Sequence, residues 1–277
     1  MCPCPFWKWG AALFAAALVL CALKLWAAAA EPGAHWTPDY EKINLTEILS
    51  KEQLTPADYQ TLLLQTGLGA FAVDTLRGQG AQDDILTAQE RFFAEPLIAC
   101  TPNSPISAEE HTLQGMPLAA LEDGDILITP CSHAYGWRNG HAALVVDAAQ
   151  GLTLESVVLG TKSCLQSIDK WETYPAVMVF RLKGESAAVR AGIARTACER
   201  LCGVPYGLTV GLLSPKHPED APAETHCAHL VWEAYRAHGY DLDSTGGHIV
   251  TPHDLAASPL LELKQIYGVD PRLLWSA

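Results

Sequence analysis

One cysteine of this chain stands where an amphipathic helix is expected to begin. Residues 225–232 read THCAHLVW, so that Cys227 precedes a run of apolar residues at helical spacing. That run can hold the helix in a core: Leu230, Val231, Ala234 and Tyr235. A thiol in the first turn of a helix lies at the positive end of the helix dipole, which favours the thiolate. Because the thiolate is the nucleophilic form, the pattern predicts thiol chemistry at Cys227.

Thiol hydrolysis also needs a histidine that moves a proton and a polar group that orients the histidine. His141 follows Gly140 and begins a strongly apolar segment, and Glu155 interrupts the next apolar segment. If the two segments are neighbouring strands, the carboxylate can bind the second ring nitrogen of the imidazole. Each residue also fits a purely structural role, as a buried free thiol, a histidine at a strand end or a surface carboxylate.

A second cysteine competes for the role of nucleophile. Cys131 has His133 beside it, but it follows a predicted strand instead of beginning a helix. We therefore place it below Cys227. His229 lies two positions after Cys227 and hence on another face of the helix. We expect it to form hydrogen bonds in the core and to take no part in the chemistry.

The elements that position these residues predict an α+β fold with an antiparallel sheet packed on helices. Strands are expected at residues 124–129, 141–147, 152–158 and 176–182, and helices at 187–201 and 227–237. The region 31–115 is expected to be helical, with helices at 55–76, weakened by Gly67 and Gly69, and at 85–93. That region is small to fold without its neighbour. Residues 116–277 are then expected to form the hydrolase domain.

The N-terminal 30 residues are interpreted as a signal peptide or a membrane anchor. Residues 10–23 are uncharged and almost entirely apolar, Lys8 precedes them, and small residues precede Glu31. We expect an exported protein, secreted or tethered to the outer face of the cytoplasmic membrane. Contact with the membrane is expected only through this segment.

Composition excludes some classes of function. Of the 277 residues 49% are hydrophobic, as in globular proteins, and 31 acidic residues outnumber 18 basic ones. A surface of this charge repels the nucleic-acid backbone, so nucleic acid is not an expected partner. The chain has nine cysteines, whose pairing the sequence leaves open.

Two groups of segments resemble the halves of NlpC-type papain-like cell-wall peptidases. Residues 124–127 (GDIL), 141–146 (HAALVV) and 154–155 (LE) resemble the C-terminal half. Residues 203–206 (GVPY) and 226–231 (HCAHLV) resemble the N-terminal half. The halves stand in the opposite order, which is typical of the circularly permuted papain-like amidases of the YiiX/YaeF type. Residues 251–255 (TPHDL) also resemble that group, and the resemblance covers roughly residues 117–260.

The resemblance implies a permuted papain-like fold and a catalytic set. Cys227 would be the nucleophile, His141 the general base, and Glu155 the residue that orients the histidine. Tyr206 would line the site and help to hold the oxyanion, and no cofactor or metal is implied. Cell-wall peptidases usually carry aspartate and serine where this chain has His226 and Ala228. This departure leaves the substrate open.

Four functions remain as alternatives. The first is hydrolysis of an amide, most naturally a peptide crosslink of peptidoglycan. The second is an acyltransferase or lipid amidase acting on an N-acyl amide, because residues 227–231 (CAHLV) also resemble the lecithin:retinol acyltransferase group. An apolar acyl groove would distinguish it. The third is a metal site of His226, Cys227 and His229 with His133, and the fourth is an inactive scaffold.

Overall fold

The computed structural model describes residues 33–134, 136–218 and 220–274, with residues 10, 13–19, 21 and 22 nearer the N-terminus. The predicted signal or anchor at residues 1–30 thus lies largely outside the described residues. Within the described part of the chain, no helix is both long and apolar enough to cross a membrane.

The structure is a mixed α+β fold in which antiparallel sheets pack against helices. The strands in the described residues are β1 (Ile98–Ser104), β2 (Ser107–Thr112), β3 (Ile126–Thr129), β4 (Ser132–Ala134), β5 (Trp137–Arg138), β6 (His141–Asp147), β7 (Leu152–Glu155), β8 (Cys164–Ser167), β9 (Val177–Leu182) and β10 (Leu261–Tyr267). The helices are α1 (Thr46–Leu49), α2 (Pro56–Thr66), α3 (Ala70–Gly78), α4 (Gln82–Phe92), α5 (Ala187–Leu201), α6 (Cys227–Arg236) and α7 (Pro252–Ala256). A 3₁₀ helix spans Ile168–Thr173.

The main sheet has six strands in the order β10-β9-β3-β6-β7-β8, and all neighbours are antiparallel. The four predicted strands are its central members β3, β6, β7 and β9. The third of them ends at Glu155 and not at Val158. The outer strands β8 and β10 had not been predicted. β8 returns antiparallel alongside β7, and β10 follows α7 and pairs antiparallel with β9.

Helices cover both faces of this sheet. Along β3, Ile126 and Ile128 belong to the core formed with α5, α6 and α7, whereas Leu127 belongs to the core formed with the N-terminal helices. A strand that is buried on both faces needs apolar residues at every position instead of every second one. This is why β3, β6 and β9 are nearly continuous apolar runs.

The region predicted to be helical, residues 31–115, is helical only as far as α4. Residues 98–112 form a β-hairpin that pairs with β4 and β5 in a second sheet, of order β1-β2-β4-β5. That segment has the polar, threonine- and serine-containing composition of an edge hairpin and lacks the apolar spacing of a helix.

The helix predicted at 55–76 is two helices, α2 and α3, which are separated at the glycines predicted to weaken it. Gly67 has φ +71°, and a Cβ there would meet the carbonyl oxygen of Ile266 at 1.9 Å. Glycine therefore ends α2 against β10. Residues of α2, α3 and α4 share one core with residues of β9 and β10. These N-terminal helices thus form the layer on one face of the main sheet.

Candidate active site

The helix α6 presents Cys227 at its first position. His226 is the N-cap residue, with an extended backbone, and its Nδ1 accepts a hydrogen bond from the backbone N–H of His229 at 3.4 Å. Eight of the ten residues of α6 are buried. The helix packs against β6, the strand that begins with His141. This packing fixes the thiol at the positive end of the helix.

The neighbouring strands β6 and β7 bring His141 and Glu155 together. Nε2 of His141 lies 2.7 Å from Oε2 of Glu155. A carboxylate only accepts hydrogen bonds, so Nε2 of His141 carries a proton and donates it in the hydrogen bond to Glu155. Nδ1 is then the nitrogen that can exchange a proton with the sulfur of Cys227. The predicted juxtaposition of the three side chains is thus present.

Three further side chains hold Glu155, whose carboxylate is fully buried. Oε1 accepts hydrogen bonds from the Thr153 hydroxyl at 2.6 Å and from Nε1 of Trp171 at 3.0 Å. Oε2 also accepts a hydrogen bond from Nζ of Lys170 at 2.6 Å. Burial alone would raise the pKa of Glu155, but the bonds and charges of His141 and Lys170 lower it to about 2. Glu155 is therefore a carboxylate at neutral pH.

Cys227 and His141 shift each other's pKa in opposite directions. Burial would raise the pKa of Cys227, but the adjacent imidazole of His141 and, to a smaller extent, that of His226 lower it to about 5. Burial would lower the pKa of His141, but Cys227 and Glu155 raise it to about 9. The arrangement favours a thiolate–imidazolium pair between these two values.

The sulfur opens into a cavity of about 360 Å³ that Cys227, His141, His226 and Tyr206 line together. Much of the remaining wall is apolar and comes from separate parts of the chain: Ile106, Ala134, Val157, Val158, Leu159, Leu208, Ile249, Val250 and Pro252. Ser132, His133 and Asn139 add polar groups to it. A ligand thus meets a reactive thiol at one end of a largely apolar pocket.

Tyr206 is held beside the nucleophile by the backbone. It forms an isolated parallel bridge with Thr225, and its N–H donates to the carbonyl oxygen of Thr161 at 2.9 Å. The four predicted site residues therefore converge. Cys227, His141 and Tyr206 line the cavity, and Glu155 lies behind the ring of His141.

The competing thiol lies in a different environment. Cys131 is fully buried in the core under the N-terminal helices, and its thiol donates to the carbonyl oxygen of Ala34 at 3.3 Å. Burial raises its pKa to about 12. The neighbouring His133 approaches Glu110, with Nε2 3.4 Å from Oε1. Cys131 is therefore a protonated structural thiol.

The residues of the hypothetical metal site are not arranged as ligands. Both ring nitrogens of His229 already have partners, the Thr225 hydroxyl at 2.9 Å and the carbonyl oxygen of Lys216 at 2.8 Å. In the described ranges, no group of three or more histidine, cysteine or acidic side chains has the geometry of a metal site. The prediction that His229 forms hydrogen bonds in the core is confirmed.

Several residues of the site were not found from the sequence. Trp171 stacks on the ring of His141, with centroids 5.6 Å apart and planes 17° from parallel. Trp171 and Lys170 come from the 3₁₀ helix, and no local pattern links that helix to β6. Thr153 had a signal, since it lies two positions before Glu155 on the same face of one strand.

Little similarity to known proteins is found. No family model and no curated protein matches the chain. The crystal structure of the metalloprotein yiiX from Escherichia coli O157:H7 is similar to part of it, with a TM-score of 0.41 and 16% identity. The alignment covers 52% of this chain and 96% of the yiiX chain.

Proposed function

We propose that this protein is a cysteine hydrolase of amide bonds, with a permuted papain-like domain in residues 116–277. The observation that carries the proposal is the arrangement in which Glu155 binds His141, and His141 lies beside Cys227 in the wall of one cavity. A lowered thiol pKa beside a raised histidine pKa is the electrostatic arrangement that a nucleophilic cysteine requires.

The geometry supports a two-step reaction. The Cys227 thiolate attacks the amide carbonyl carbon, and the electron pair of the carbonyl moves onto its oxygen. The backbone N–H of Cys227, at the start of α6, faces this oxyanion, and Tyr206 lines the same space. The C–N bond then breaks as Nδ1 of His141 gives its proton to the leaving amine, and the acyl group remains on sulfur. Water, giving its proton to His141, attacks the thioester and releases the acid and the thiol.

The cavity wall favours an apolar acyl group as the substrate portion next to the thiol. Nine of the nineteen residues that line the cavity are aliphatic, and burying their surface against an acyl chain is favourable by roughly 25 cal/mol per Å². A peptidoglycan crosslink carries charged and amide groups that the aliphatic part of this wall does not match. We therefore place an N-acyl amide, cleaved by a lipid amidase or passed on by an acyltransferase, above the cell-wall peptide.

The proposed location is outside the cytoplasmic membrane, either secreted or tethered. It rests on the apolar run at residues 10–23 and the small residues before Glu31. Fractionation of cells that produce the full chain tests it. Recovery in the outer or membrane-bound fraction supports export, and recovery in the cytoplasm alone rejects it.

The test of substrate class is incubation with N-acyl amides of increasing acyl length and with cell-wall muropeptides, followed by mass spectrometry. The expected products are the free acid and amine, absent with Cys227→Ser. In a matched pair of variants, Leu208→Glu changes the cavity wall and Leu213→Glu changes a leucine that is 84% exposed and outside the wall. We expect a raised KM for acyl amides only with Leu208→Glu. Cleavage of muropeptides alone would restore the cell-wall assignment.

A further inference from the structure

His226 lies at the site but has no role in the Cys227, His141 and Glu155 arrangement. It is 6% exposed, caps α6 and lines the cavity next to Cys227. The cap uses Nδ1 alone, so it does not explain what the second ring nitrogen does.

The capping bond fixes the tautomer of His226. Nδ1 accepts from the backbone N–H of His229, so its lone pair points into the helix and the proton of the neutral ring is on Nε2. Nε2 is buried and has no hydrogen-bond partner among the described residues. Buried donors without a partner are rare in native proteins, so this N–H requires an acceptor at the site.

The neighbouring His229 differs from His226 in the hydrogen bonding of its ring nitrogens. Its two nitrogens are both bound within the protein, and its ring centroid lies 5.7 Å from that of His226. Burial lowers the pKa of His229 to about 4. His229 is thus a neutral structural ring that packs beside His226.

We propose that His226 is a second catalytic imidazole, a neutral Nε2–H donor to the Cys227 thiolate and then to the oxyanion formed on attack. His226 keeps its proton throughout, whereas His141 moves one. The oxyanion part rests on the proposed function. His226 follows His141 among the groups that lower the pKa of Cys227, which agrees with this role. An aspartate would place a negative charge beside the sulfur and donate no hydrogen bond.

The first test needs no substrate. Alkylation of Cys227 by iodoacetamide is measured against pH, with the labelled peptide identified by mass spectrometry. His226→Asn keeps a good cap acceptor but loses the ring donor, and His226→Asp adds a charge. His226→Asn loses a hydrogen bond to the charged Cys227 thiolate, so we expect the pH midpoint of Cys227 alkylation to rise by about one pH unit or more. With His226→Asp we expect it to rise further. His217→Asn, on a half-buried histidine bound to Glu233 of α6, serves as the control and leaves it unchanged.

Two further measurements complete the test. Nitrogen NMR of the wild-type protein reports the tautomer directly, even if the variants fold poorly. A proton on Nε2 supports the proposal, and a proton on Nδ1 overturns it. With a substrate, His226→Asn should lower kcat by roughly ten- to a hundred-fold, as for loss of one oxyanion donor. If the pH midpoint of alkylation shifts but the wild-type protein turns over no substrate, the proposed hydrolase function is rejected. The hydrogen bond from His226 to the Cys227 thiolate is then still supported. If His226→Asn changes neither the pH midpoint of alkylation nor kcat, the role proposed for His226 is rejected and the proposed hydrolase function is not affected.

Discussion

Cys131 and Cys227 each have a histidine close in sequence, yet their thiols differ by several pH units in acidity. Removal from water raises the pKa of both. At Cys131 little offsets this effect, and the pKa reaches about 12. At Cys227, His141 and His226 reverse it, and the pKa falls to about 5. Reactivity therefore follows from the groups that meet the sulfur, and a histidine two positions away in the chain does not supply them.

The two thiols also differ in their position on the fold. Cys131 follows a strand and points into the core under the N-terminal helices. Cys227 begins a helix on the opposite face of the same sheet, where the strand end of His141 and the cavity meet. A strand end has no dipole to stabilise an anion, whereas a helix start does. The comparison yields four predictions.

The largest effect is expected from exchanging each sulfur for oxygen. Cys227→Ser should lower amide hydrolysis to background, because serine lacks the acidity of this thiol. Cys131→Ser should keep full activity, since its hydroxyl can donate to the same carbonyl oxygen of Ala34. Rates with one amide substrate and peptide-resolved thiol labelling measure both. Loss of labelling in Cys131→Ser but not in Cys227→Ser would reverse the assignment.

Removing the positive charge of His141 should make Cys227 a weaker acid, as Cys131 is. In His141→Gln we expect the pKa of Cys227 to rise from about 5 toward the ordinary value of 9.0, because its main hydrogen bond and positive charge are lost. Activity should fall by roughly 10²–10⁴-fold, as on loss of a general acid–base. Alkylation against pH and kcat are the readouts. A midpoint that stays near 5 would exclude His141 as the partner.

Glu155 should contribute to stability in a defined pH window. Its pKa is lowered from 4.5 to about 2 in the folded state, so its stabilisation is fully present above 4.5 and is lost as pH falls toward 2. The difference in free energy of unfolding between wild type and Glu155→Gln should therefore become smaller as pH falls from 4.5 to 2. Urea unfolding at several pH values measures it. A gap independent of pH would show that Glu155 is not ionised there.

The smallest effect is expected at Trp171. Trp171→Phe keeps the ring that stacks on His141 but removes the N–H that donates to Glu155. Because Thr153 and Lys170 still bind the carboxylate, we expect kcat to fall less than about tenfold and the Cys227 midpoint to change little. A loss as large as that of His141→Gln would mean that Trp171 itself contacts the substrate.

Local patterns in the sequence were enough for the central strands and the helix that carries the thiol. The strand His141–Asp147 and the helix Ala187–Leu201 begin and end as predicted, since an apolar run after Gly140 and one before Gly203 define them. The residues Cys227, His141 and Glu155 followed from chemistry and from the family resemblance.

The remainder depended on contacts that local patterns do not encode. The hairpin of β1 and β2 carries polar residues and acquires its partners from β4 and β5. Trp171 and Lys170 reach Glu155 through the path of the chain after β8. The apolar cavity wall combines residues from several distant segments, so no window of sequence could indicate the cavity.

The most direct test of the thiolate at Cys227 is its alkylation rate against pH in the wild-type protein, read from the peptide that contains it. We expect half-maximal reactivity near pH 5, while the Cys131 peptide remains unlabelled across the range. Half-maximal reactivity near pH 9 would make Cys227 an ordinary thiol and would contradict the account of the site.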